Sequence, residues 1–243
     1  MNVRIMLAAV LLVVSAAAAA AEPFGIQAYG GFTKMAHTGS ADGVVTLSAI
    51  SAGSGTYGVG AIAGMRGEIL LWDGKLLVPS GHAAKGEVSA PQPDDAAMLF
   101  VTEKVAGRTE RRVPRDMTHT QFEAYVLDAA HDAGLDATRA FPFVLRGDKL
   151  HVEWHVVTRQ PAAGTGHHGS GVHQQGHANS KVFREEGAPG LLLGFHVGAA
   201  LEGTASHPGE RFHVHYADSK LTVSGHADGY RVPAGTTLLL PRL

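Results

Sequence analysis

Three histidines near the C-terminus, His213, His215 and His226, have the residue type and spacing of a metal centre. They stand in the run Arg-Phe-His-Val-His-Tyr-Ala-Asp-Ser-Lys-Leu-Thr-Val-Ser-Gly-His, which begins at Arg211. Side chains alternate faces along a β-strand, so His213 and His215 point the same way, about 7 Å apart. Residues 217–220, Ala-Asp-Ser-Lys, read as a tight turn. Centred between Asp218 and Ser219, that turn sets His226 opposite Arg211 and diagonal to His213 on the same face. Three imidazoles converging on one point, with a further position open to solvent or substrate, are what a catalytic zinc site needs. The same donors also suit copper, nickel or iron. The competing reading is that histidine is simply abundant, with 15 in the chain, and that His-X-His arises in a strand by chance. A one-residue slip of the turn would also turn His226 to the other face. A second group, His167, His168, His173 and His177, sits in a Pro/Gly/Ala-rich stretch over 161–180 that reads as a loop, either a metal-collecting tract or histidines without a role.

Composition narrows the chemistry. There is no cysteine, so any metal must be held by His, Asp or Glu, and neither sulfur-based metal sites nor disulfides are available. A net charge of −2 with 17% charged residues gives no basic field for nucleic acid or anionic lipid. Residues 1–21 read as a signal peptide: Arg4 supplies a basic start, an apolar run follows from Ile5 to about Val14, and Ala19-Ala20-Ala21 precedes Glu22 as the cleavage site. The expectation is an exported protein, periplasmic or secreted, with no membrane attachment after cleavage and one domain over 22–243. A membrane anchor is the alternative, but it needs about 20 apolar residues, a length this run reaches only by counting its alanines.

The elements that must position the histidines are mostly strands. Residues 43–47, 68–72, 75–78 and 97–102 read as strands, with Asp73-Gly74 as a hairpin turn between two of them. Thr118 to Gly134 is the one main helix: Thr118 caps it, Phe122, Tyr125, Val126, Ala129 and Ala130 recur at helical spacing, and Gly134 stops it. Residues 141–145 and 150–157 read as a second hairpin about Arg146-Gly147-Asp148-Lys149. Strands at 190–197 and 236–240 flank the histidine hairpin, with a connection over 203–209. The expected class is α+β, with antiparallel or mixed β-sheets and one main helix.

With that order in place, the chain resembles the α-acetolactate decarboxylase family. The family's glycine-rich segment, Gly-X-Gly-Thr-X-X-Gly-Leu-Asp-Gly-Glu-Leu, reads here from Gly58-Val59-Gly60-Ala61 to Gly67-Glu68-Ile69. Its C-terminal Pro-Gly, His-X-His and Gly-Gly-His motifs are matched by Pro208-Gly209, His213-Val214-His215 and Ser224-Gly225-His226. The resemblance runs from about Ala41 to Tyr230. It implies an acetolactate decarboxylase-like fold, a homodimer, Zn2+ on His213, His215 and His226, an active-site role for Glu68, and conversion of α-acetolactate to acetoin and carbon dioxide. On the residues alone, Glu68 reads rather as a solvated strand residue beside a hairpin, and the resemblance reverses that preference.

The chain also departs from the family pattern. The threonine of the glycine segment is Ala61, and the family's arginine position falls on His155, with Arg159 four residues on as a substitute. Four residues keep the face but move the side chain about 13 Å, so Arg159 serves only if the strand bulges. The family's tail beyond the third histidine carries a further active-site glutamate. This chain runs to Leu243, 17 residues past His226, so that group is expected to be missing, with Glu202 or Glu210 as local substitutes. The candidate catalytic residues are therefore Glu68, His155 and Arg159, acting on a small-molecule 2-hydroxy-3-oxo acid. Two rivals stand beside acetolactate decarboxylation: a non-catalytic exported protein that binds metal or a small ligand, and a decarboxylase for a related 2-hydroxy-3-oxo acid.

Overall fold

A computed structural model describes residues 25–158 and 180–243. Residues 1–21, read above as a signal peptide, Arg159 and the His167–His177 stretch lie outside the described residues. The strands fall in chain order into two antiparallel sheets. The first holds β1 (Gln27–Gly30), β2 (Val45–Thr46), β3 (Thr56–Ile62), β4 (Glu68–Trp72), β5 (Lys75–Pro79), β6 (Val88–Ser89) and β7 (Ala96–Lys104). The second holds β8 (Arg108–Arg112), β9 (Met117–Thr118), β10 (Phe141–Val157), β11 (Ser180–His196), β12 (Phe212–Asp218), β13 (Ser224–Val232) and β14 (Thr237–Pro241). The class is α+β, mostly antiparallel sheet, as the pattern implied. There are two described α-helices rather than one, because a short α1 (Phe32–Thr38) joins α2 (His119–Asp132).

In the first sheet the order is β1-β7-β3-β4-β5-β6. Asp73 and Gly74 both take positive φ, 49° and 83°, and Trp72 pairs with Lys75, the geometry of a two-residue hairpin turn. The glycines of β3 have a packing cause. A Cβ on Gly58 would lie 2.6 Å from the Phe100 ring, and one on Gly60 2.3 Å from the Leu99 carbonyl, so β7 approaches β3 only because those side chains are missing.

The second sheet curls. β10 and β11 pair over their whole length, β11 pairs with β12, β12 with β13, and β13 returns to the second half of β10. The expected hairpin at 146–149 is corrected: both halves of β10 pair with β11, so Asp148 and Lys149 are absorbed as a bulge in one long strand. Turn residues and bulge residues are chemically alike, which is why the pattern misled.

Alternation then divides the side chains. Phe143, Val152, Trp154, Val156, Val214, Tyr216 and Ala227 pack with Phe122, Val126, Ala129 and Ala130 of α2 in one core. Thr118 caps α2 with a reciprocal bond pair to Gln121. The other face of the second sheet, with Val144, Leu191, Leu193, Phe195 and Ala217, packs on Tyr57, Val59, Leu70 and Val101 of the first. The candidate site opens in this second layer, between the sheets.

Candidate active site between the two sheets

Ala217 faces the first sheet, so His213 and His215, four and two residues back on β12, face it too. On β4, Leu70 faces the second sheet, and so does Glu68. The histidine strand and the glutamate strand therefore present their polar residues to one another. His213, His215 and Glu68 are all buried.

His226 pairs directly with His215, not with Arg211, which corrects the expected register. The connection is longer than a tight turn. The Asp218 carboxylate accepts from the backbone N–H groups of Thr222 and Val223, and Leu221 takes a φ of 57°. The shift is four residues, an even number, so the face survives and His226 still joins His213 and His215. On its far side His226 pairs with His155 of β10. His215, His226 and His155 thus form one row across three neighbouring strands, with His213 beside it. Gly225 makes this possible, since a Cβ there would lie 2.3 Å from the His155 carbonyl oxygen.

The distances fit a metal ion. The Nε2 atoms of His213 and His215 are 3.2 Å apart. The ring centres of His213, His215 and His226 lie 5.0, 5.3 and 5.7 Å from one another. Tetrahedral zinc with nitrogens at about 2.0–2.1 Å would set the nitrogens roughly 3.3 Å apart and the ring centres about 5 Å apart. The Nδ1 of His213 donates to the Ala205 carbonyl at 2.8 Å, which leaves Nε2 as the lone-pair nitrogen. Burial, and then the neighbouring histidines, push the pKa values of His213 and His215 well below the ordinary range, so both are neutral as ligands must be. A second group overlaps the first: His155, His226 and Asp228 bring ligating atoms within 4.8 Å of one another and can hold a metal ion.

Glu68 lies 3.9 Å from His215 Nε2 and accepts a 3.2 Å hydrogen bond from the Val157 N–H. Burial raises its pKa against the opposing pull of His155 and His226. Ala61 pairs directly with Glu68, so the missing threonine hydroxyl would have stood next to the carboxylate. His155 Nδ1 donates to Asp228 at 2.8 Å. Burial pushes the His155 pKa down, but the Asp228 bond and the charges of Glu68 and Asp228 outweigh it and raise the net value. Glu202 is engaged by Arg211 and the Gly209 N–H.

Sequence reasoning missed two residues. Asp228 sits between His155 and His226. His207 has its ring 6.1 Å from His226 and 3.9 Å from Phe32 of α1. The proximity of His207 to the Pro208-Gly209 motif was the one available signal. Asp228 had none beyond its place two residues after a histidine. Past their short pairing, β12 and β13 diverge, and a cleft of about 890 Å³ opens between them and α2. Its lining includes His119, Glu123, His196, Glu210 and Arg211, and it reaches His226 and Asp228.

A two-sheet protein with a histidine–carboxylate group between its sheets is the class that fold and site define. The profile of the family described as alpha-acetolactate decarboxylase matches residues 31–239, and the chain belongs to that family. Alpha-acetolactate decarboxylase from Bacillus subtilis strain 168 is similar at a TM-score of 0.71 and 17% identity, covering 90% of this chain and 86% of that one. Acetolactate decarboxylase from Bacillus subtilis subspecies spizizenii gives 0.68 and 18%, with coverage of 90% and 86%. A Staphylococcus aureus protein of unknown function, similar to alpha-acetolactate decarboxylase, gives 0.66 and 14%, with coverage of 90% and 85%. No curated protein matches the chain by sequence.

Proposed function

We propose that the protein is a zinc-dependent decarboxylase that converts α-acetolactate to acetoin and carbon dioxide. The observation that carries this reading is the juxtaposition of His213 and His215, with Nε2 atoms 3.2 Å apart, and Glu68, 3.9 Å from His215, in a member of this family. His213, His215 and His226 would hold the ion. When bound, it supplies Lewis-acid stabilisation of the negative charge that grows on the hydroxyl and ketone oxygens as carbon dioxide leaves.

The chain's own residues do the rest. Loss of carbon dioxide leaves an enediolate that needs a proton on one carbon. Glu68 suits that delivery, since burial makes its carboxyl hold a proton more readily than an ordinary glutamate. His155, anchored on Asp228 and drawn toward its protonated form, stands where the family places an arginine and would orient the substrate carboxylate. A specific feature favours a second reading, action on a related 2-hydroxy-3-oxo acid. The position opposite Glu68 is Ala61, and the cation is an imidazole held by a carboxylate rather than a guanidinium.

The test is to follow acetoin from α-acetolactate with the purified chain, with and without a chelator, and with His213→Ala as control. Chelator-sensitive acetoin above the spontaneous rate, lost in the variant, supports the reading. Turnover of a longer-chain 2-hydroxy-3-oxo acid but not of acetolactate would move it to the second. Export is part of the proposal: the mature protein recovered outside the cytoplasm should begin at Glu22, and an intact N-terminus at Met1 would overturn that part.

A further inference from the structure

We propose that Asp228 is a positioning residue of the metal centre, a single carboxylate that fixes both the ligand His226 and the substrate-side His155. The inference rests on the three-histidine reading above and goes beyond it, because neither the sequence motifs nor the family match assigns Asp228 a role.

The backbone supplies the first argument. Pairing of β13 with β10 runs Glu153 to Gly229 and then Trp154 to Ala227, so Asp228 is the extra residue of a β-bulge. In a regular ladder Asp228 would have its own partner on β10. The bulge removes that partner and re-aims the side chain, a device often found beside active sites. Here the result is a partly buried carboxylate between two histidines of neighbouring strands. The ring centres of His155 and His226 are 5.0 Å apart.

The hydrogen bonds supply the second. Both Asp228 oxygens lie 2.8 Å from His155 Nδ1, and Oδ1 lies 3.3 Å from His226 Nδ1. An ionised carboxylate only accepts, so each imidazole must present its Nδ1–H to it. A neutral His226 held this way carries its lone pair on Nε2, the same tautomer that Ala205 imposes on His213. Metal-ligating histidines usually donate their second nitrogen to a carboxylate or carbonyl, and loss of that partner commonly costs 10–100-fold in metal affinity. Two of the three proposed ligands thus have their tautomer fixed by a named acceptor. The second of these acceptors also holds His155, so one residue ties the metal ligand to the group that would meet the substrate.

The experiment is zinc affinity, measured by competition with a chromophoric chelator, for the wild-type chain, Asp228→Ala, Asp228→Asn and His213→Ala. Long-range 1H–15N correlation spectra of the metal-free proteins, in which no metal fixes the ring, read the histidine tautomers. Asp228→Ala is expected to bind one zinc per chain about 10–100-fold more weakly. Its metal-free form should stay folded, with a somewhat lower melting temperature from the lost imidazole bonds, and the Nδ1–H signature should be lost at His226 but retained at His213. Asp228→Asn keeps one acceptor and should fall between. Wild-type affinity in Asp228→Ala, or an unchanged His226 tautomer, overturns the proposal and leaves the three-histidine reading standing. A drop from two bound ions to one makes Asp228 a ligand rather than a positioning group, and overturns it as well. Unchanged zinc affinity in His213→Ala overturns the three-histidine reading, and this inference with it.

Discussion

Replacing Glu68 by glutamine should move stability and activity in opposite directions. Glu68 is 3% exposed, and its one described backbone donor is the Val157 N–H at 3.2 Å. Burial outweighs His155 and His226 and raises its pKa above 4.5. The unfolded carboxyl therefore ionises first as pH rises. The stability that neutral Glu68 contributes to the metal-free fold is whole below pH 4.5 and is lost as pH climbs through the raised folded value. Glutamine has the same shape, keeps an oxygen for the Val157 N–H and never ionises. It should remove a penalty on the order of 1 kcal/mol or more for burying a poorly compensated charge. For a chain of this size each kcal/mol shifts the melting temperature by about 2–4 °C. The assay is thermal unfolding of metal-free wild type and Glu68→Gln from pH 4 to 8, alongside acetoin formation by the zinc-loaded forms. The two metal-free proteins should melt together near pH 4, and the variant should melt higher at pH 8. The loaded variant should lose about 10²- to 10⁴-fold in rate, the usual range for a positioned proton donor. A metal-free variant that melts lower than wild type at pH 8 would refute the electrostatic argument. A loaded variant with full activity would remove Glu68 from the chemistry.

Two further outcomes follow from the same geometry. Gly225→Ala would force a Cβ to 2.3 Å from the His155 carbonyl oxygen and 2.6 Å from the Trp154 ring, so β13 must shift. The variant should lose zinc binding measured by calorimetry, and wild-type affinity would show that His226 is not held by this contact. His196 is buried, donates from Nε2 to the Ala137 carbonyl at 2.8 Å, and has its pKa lowered chiefly by burial. The unfolded chain takes up this proton first as pH falls below about 6.5, so the native state loses stability there and stops losing it only once the folded histidine also protonates. His196→Phe, flanked by Phe141 and Phe212, should flatten the acid side of the stability curve by up to about one proton. An unchanged slope in denaturant unfolding between pH 4 and 7 would count against it.

The legible parts of the site were those written in local pattern. His-X-His on a strand fixed the shared face of His213 and His215, and Thr118 announced the start of α2. The first sheet was read well at Asp73-Gly74, where one turn type has a narrow chemistry. What was not legible depends on register. His226 lies opposite His215 because Asp218 caps a longer connection, and nothing in the spacing separates a tight turn from that one. The error kept the right face because the slip was even. Asp228 was invisible for the same reason, since its position follows from a bulge against a strand some 70 residues away. His155 was reached only through the family's arginine position. Its row with His226 and His215 comes from β13 closing back on β10, a long-range pairing that hydrophobic periodicity does not encode.

The most direct test of the account is to titrate zinc into the metal-free chain and measure bound metal and acetoin formation on the same samples. The account predicts a rate that rises in step with occupancy and levels off at one zinc per chain, and neither binding nor rate in His213→Ala. Full occupancy with acetoin forming no faster than in buffer would contradict it.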